Sequence, residues 1–220
     1  MKILTYIINR YLGDDVAVNR IQPPTRISHG VEKQDDDGGW LQVLNHCNDN
    51  VINDNMVTND YIVIQIDTDT CTQKHYDVDI YDDNNRKVSD DILYDRVMSR
   101  LKHNITSEVW NAFSDRILFA ICFNETECWL LPLYYSNDPK KRCATTNCIY
   151  ILNDQLQKEG MGIPEKKKKN SSEALSVYQK VLKRMKRKDI PVIAQYNLGF
   201  KNFVEQLDAI KNVINESAEV

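Results

Sequence analysis

A chain of 220 residues, 42% hydrophobic and 27% charged, is long enough for one domain with a full core, or for a domain plus a small appendage. Its net charge of −4 excludes a polycation as a whole. No apolar run approaches membrane-spanning length, and the N-terminus lacks the cleavage pattern of a signal peptide, so the composition points to a cytoplasmic protein with no membrane partner. The six cysteines, Cys47, Cys71, Cys122, Cys128, Cys143 and Cys148, are scattered and form no CxxC pair, which fits that compartment. The paired spacing of structural zinc sites is absent, and Cys143 and Cys148 with His103 would be an improvised set.

Ile3, Ile7, Ile8, Tyr11 and Leu12 fall on one helical face, with Gly13 as a stop signal. Val16 to Pro23 alternates like a short strand. The polar stretch from His29 to Gly39 reads as a loop. Trp40, Leu41, Val43, Leu44, Cys47 and Val51 predict a second amphipathic helix. The apolar, β-branched run 61–66 predicts a buried strand. A polar loop leads to a helix through Ile92, Val97, Met98 and Leu101, with Ser89 or Asp90 as its cap. Ile117 to Phe123 reads as a second buried strand, followed by a polar turn and an apolar helix start at Trp129, Leu130 and Leu131, which belong to the core. Residues 136–170 are punctuated by proline, glycine and charge. Two helices close the chain, Ser172 to about Lys186 and Gly199 to about Val213. The alternation predicts an α/β layer fold with a mainly parallel central sheet, and a helical C-terminal part. It divides into a core over 1–135 and a loop-and-helix extension over 136–220 that packs on it.

In such sheets ligands bind beyond the carboxyl ends of the strands. The first buried strand runs there into Asp67 and Asp69, and the second is followed by Asn124, Glu125 and Glu127. Side chains alternate with period two, so Asp67 and Asp69 would face one side of an extended chain and share a hard cation such as Mg²⁺ or Mn²⁺. Glu125 or Glu127 would complete the cluster. His75, a few residues past the acidic pair, could reach a metal or phosphate.

A hydrophobic strand followed by DxD occurs in the haloacid-dehalogenase phosphatases, in nucleotide-sugar glycosyltransferases and in Toprim domains. The first use DxDx(T/V), and here position 71 is Cys. For the second, no clear sugar-nucleotide strand opens the chain. The rest of the sequence resembles the third, as found in topoisomerases, primases and OLD-family nucleases. "FNETECWLLPLYY" is similar to the (E)xExWLL segment of a group of bacterial Toprim-like proteins. "EKKKKNSSEALSVYQKVL" and "YNLGFKNFVEQL" resemble that group's Lys-rich loop, its helix with a Tyr, and its final helix beginning near Gly-Phe. The resemblance spans Met1 to about Ile210. It implies a Rossmann-like three-layer sandwich and a Mg²⁺- or Mn²⁺-dependent nuclease acting on phosphodiesters. Asp67, Asp69 and Glu127 would be catalytic, and Asp67, Asp69, Glu125 and Glu127 the metal ligands. The chain departs from the family in one respect. The opening strand and its glutamate, usually in an "EGxxE" turn, are not apparent, because "MKILTYIINRYLG" reads as the helix that follows them.

Lys166 to Lys188 holds ten basic residues. Lys166, Lys167, Lys168 and Lys169 form a loop, and Lys180, Lys183, Arg184, Arg187 and Lys188 could line one helical face, a pattern that suits backbone phosphates. Beside the nuclease reading stand two others. One is a catalytically inactive Toprim-like module that binds a partner protein such as an ATPase, in a bacterial phage-defence or mobile-element system; the other is a haloacid-dehalogenase-type phosphatase.

Overall fold

The computed structural model describes residues 2–13, 16–22, 25–28, 31–34, 39–48, 50–164 and 171–218. The architecture is mixed helix and sheet. The chain forms two compact units, one from Asn19–Ile121 and one from Met1–Val18 together with Cys122–Val220. This division differs from the expected break at residue 135. The reason lies in the first helix, α1 (Lys2–Leu12), whose apolar face packs on helices from the far end of the chain.

The unit Asn19–Ile121 opens with an antiparallel pair, β1 (Thr25–Ser28) and β2 (Val31–Gln34), in the register Thr25 opposite Gln34 and Ser28 opposite Val31. This corrects two expectations. Val16–Gln22 forms no strand, because Ala17 to Arg20 are exposed and their alternation has no buried face to serve. The stretch expected as a loop instead contributes β2. The predicted helix from Trp40 is instead two, α2 (Trp40–Asn48) and α3 (Val51–Met56), with Asn50 just before the second.

The two apolar runs become β3 (Ile62–Asp67) and β4 (Ile117–Cys122), paired as a parallel two-strand sheet among the described residues. Between them lie α4 (Asp90–Asn104) and α5 (Ser107–Phe113). Ser89 caps α4 by accepting from the Ile92 N–H, as the sequence suggested. Helix α5 was not foreseen; Thr106 caps it by accepting from Val109 N–H at 3.3 Å. Every residue of β4 is buried, whereas β3 buries Ile62, Ile64 and Ile66 and leaves Val63, Gln65 and Asp67 half-buried. Helices α2 and α3 pack on β3. Arg116 holds the entrance of the sheet. Its guanidinium donates to the carbonyls of Asn59 (2.6 Å), Asp60 (2.6 Å) and Met56 (3.4 Å), while its own carbonyl accepts from Ile62 N–H at 3.0 Å.

In the other unit, β4 leads into a 3-10 helix, Thr126–Leu133. After it come α6 (Pro139–Arg142), α7 (Cys148–Leu156), α8 (Ser172–Leu182), α9 (Ile190–Ala194) and α10 (Leu198–Ala218). Trp129, Leu130 and Leu131 are fully buried, as expected. The Trp129 ring stacks on Phe200 at 4.6 Å and on Phe203 at 5.9 Å, joining the 3-10 helix to α10. Helix α1 packs on α8 and α10, and the buried Tyr11 hydroxyl donates to Asp208 at 2.6 Å. Burial and Asp208 push the Tyr11 phenol up to about 12. Cys128 and Cys148 form a disulfide, which the scattered spacing of the cysteines did not suggest. No helix among the described residues is long and apolar enough to cross a membrane.

Candidate functional site

The first acidic pair lies where expected, at the carboxyl end of β3, but the strand stops at Asp67. The chain turns at once, with Cys71 N–H donating to the Thr68 carbonyl at 3.2 Å. Asp69 therefore belongs to a turn and not to the extended strand. Burial nonetheless keeps alternating. Thr68 is buried, Asp67 half-buried and Asp69 exposed. The Gln65 amide donates to Asp67 Oδ1 at 3.4 Å, and the Tyr76 hydroxyl donates to the Asp67 carbonyl at 3.3 Å.

The loop beyond is firmly built. Tyr76 stacks on Trp40 at 5.4 Å. Arg100 on α4 donates to the carbonyls of Tyr76 (2.9 Å) and His75 (2.7 Å). His75 is exposed with φ +78°, so its backbone, through Arg100, is the part of the residue that the fold holds. Neither Trp40 nor Arg100 carried a site signal in the sequence, because both act on a loop far from them along the chain.

At the end of β4, Asn124 takes φ +55° and Glu125 N–H donates back to the Phe123 carbonyl at 2.8 Å, a γ-turn. Asparagine tolerates that conformation better than other non-glycine residues. The turn directs Glu125 inward, where it is 4% exposed and accepts from Ile149 N–H at 3.1 Å. Glu125 thereby satisfies a donor in the first turn of α7, where Asn147, itself in the left-handed region, supplies no side-chain cap. The Asn124 amide donates to the Thr145 carbonyl, and the Cys128–Cys148 disulfide closes the same junction. Glu127, also 4% exposed, accepts from the Tyr178 hydroxyl of α8. The pairing of Glu127 with Tyr178 joins two motifs named in the resemblance, 51 residues apart. Their separation hid it from the sequence.

Asp67 and Asp69 thus belong to one unit and Glu125 and Glu127 to the other. No group of three or more His, Cys, Asp or Glu side chains that could hold a metal ion occurs among the described residues. Both glutamates already satisfy donors inside their own unit. Glu125 and Glu127, which would complete such a set, are engaged by Ile149 N–H and by the Tyr178 hydroxyl.

The basic segment also differs from expectation. Lys166, Lys167, Lys168 and Lys169 lie outside the described residues. Helix α8 ends at Leu182, so Lys180, Lys183, Arg184, Arg187 and Lys188 do not share one helical face. Beyond it the Arg184 and Met185 N–H groups donate to the carbonyls three residues back, of Val181 and Leu182, at 3.1 and 2.9 Å. Arg184 forms a two-pronged ion pair with Glu159, at 2.8 and 2.5 Å, and lies over the Tyr134 ring. Arg187 donates to the Leu12 carbonyl at the end of α1, at 3.5 Å. Lys180, Lys183, Lys186 and Lys188 are exposed. Charge is segregated between the units: 18 basic and 14 acidic residues in the unit that holds these lysines, against 10 and 18 in Asn19–Ile121.

No family model, curated protein or solved structure matches the chain.

Proposed function

We propose that the chain is a Toprim-like nucleic-acid-binding module, of three-layer α/β architecture, that holds its ligand without cutting it. The observation that carries this reading is the use of Glu125 and Glu127. The two carboxyl groups that would complete a metal site instead hold the start of α7 and the Tyr178 hydroxyl. A two-carboxylate remnant at Asp67 and Asp69 has no evident proton donor for a leaving oxygen. The exposed Lys180, Lys183, Lys186 and Lys188, on the more basic unit, suit the phosphate backbone and supply the affinity.

The nuclease reading keeps one observation in its favour, the exposed Asp69 beside a half-buried Asp67 at the end of a parallel strand. One experiment separates the two. Purified protein is titrated against labelled DNA and RNA over a range of salt, and the same mixtures with Mg²⁺ or Mn²⁺ are run on denaturing gels. Binding with a log–log salt slope of about −3 to −4, for four phosphate contacts, and intact nucleic acid are expected. Replacing Lys183 and Lys188 by Glu should flatten the slope by about 2. Metal-dependent cleavage abolished by Asp67→Ala and by Asp69→Ala would establish the nuclease instead. Binding to neither nucleic acid would leave the module with a protein partner, such as an ATPase.

A further inference from the structure

The disulfide and the cysteine nearest to it in sequence carry an inference independent of nucleic-acid binding. Cys128 and Cys148 are 1% and 0% exposed, so a thiol in solution has no approach to their bond. Cys143 is a free thiol, exposed, five residues before Cys148. Within the segment between them, Cys148 Sγ lies 3.5 Å from the carbonyl oxygen of Ala144, the residue that follows Cys143. Of the two bonded sulfurs, that of Cys148 is the nearer to Cys143 along the chain, five residues away. The other free cysteines, Cys47, Cys71 and Cys122, are buried.

We propose that Cys143 is the entry thiol of a redox latch on α7. Its thiolate attacks Cys148 Sγ, a Cys143–Cys148 bond forms, and Cys128 leaves as the thiolate. The exchange is internal, with no net change in oxidation state. The new bond contains the sulfur of an exposed residue, and a low-molecular-weight thiol opens it. One such thiol forms a mixed disulfide with Cys143 and releases Cys148. A second displaces Cys143, leaving three protein thiols and one oxidised small-molecule disulfide. Tethering over five residues gives Cys143 an effective concentration in the millimolar range, which a bulk thiol facing a buried bond lacks. Opening removes the covalent tie at the first residue of α7 and leaves the helix held there by Glu125 on Ile149 N–H and Asn124 on the Thr145 carbonyl. The latch thus switches the 124–128 and 145–149 junction between a covalent and a hydrogen-bonded form.

The test uses the full-length oxidised protein and its Cys143→Ser and Cys143→Ala variants, treated with reduced glutathione under native conditions. Samples are quenched with acid, alkylated, and mapped by peptide mass. The Cys128–Cys148 peptide pair should disappear about tenfold or more slowly in both variants. A Cys143–Cys148 pair should appear transiently in the wild type. Equal rates in all three proteins, with no Cys143–Cys148 pair, would overturn the proposal. So would oxidised protein that maps without a Cys128–Cys148 bond.

Discussion

Replacing Tyr178 by Phe deletes the hydroxyl that donates to Glu127 and leaves the ring in place. The two residues are 5% and 4% exposed, so water does not readily take over the lost donor. Removing one partner of a buried hydrogen bond costs the desolvation of the group left behind, about 2 kcal/mol and more where that group is charged. For a chain of this size that is a fall of about 4–8 °C in melting temperature. Glu127→Gln is the informative companion. It keeps an acceptor of the same shape opposite Tyr178 and removes only the carboxyl group, so a structural role predicts a cost below about 1 kcal/mol. Thermal unfolding followed by circular dichroism, with and without saturating Mg²⁺, measures both. Tyr178→Phe melting with the wild type would refute the structural account of Glu127. Mg²⁺ that raises the melting temperature of the wild type but not of Glu127→Gln would assign the carboxyl group to a metal and revive the nuclease.

Trp129→Ala should destabilise the protein by about 3–5 kcal/mol, since it empties the stack on Phe200 and Phe203, and urea unfolding should find Trp129→Phe much closer to wild type. Tyr11, with its phenol near 12 against an ordinary 10, keeps its proton when folded in a range where the unfolded chain loses it. Stability should therefore be intact below pH 10 and fall as pH rises to about 12, and Tyr11→Phe should remove that portion of the pH dependence in denaturant titrations. Arg116→Ala should lower stability by about 2 kcal/mol or more, because three carbonyls at the start of the sheet lose their donor; Arg116→Lys, which lacks the planar fork, should recover only part of it in the same assay.

The local physics of this chain was legible in its residues. The apolar runs made β3 and β4 strands, and the structure buries every residue of β4 and alternate residues of β3. Ser89 started α4, and the Trp129–Leu131 run entered the core. Tertiary structure alone decided how the polar groups were used. Glu125 and Glu127 look like free ligands in sequence, yet burial obliges each to accept a hydrogen bond, and the donors come from Ile149 and Tyr178, 24 and 51 residues away. The lysine-rich helix ends at Leu182, which periodicity of charge does not register. Cys128 and Cys148 meet because α7 returns to the end of β4, and no spacing rule encodes that return. Hydrophobic period depends on neighbours within a few residues and can be read along the chain, whereas the partner of a buried polar atom is fixed by where distant segments come to rest.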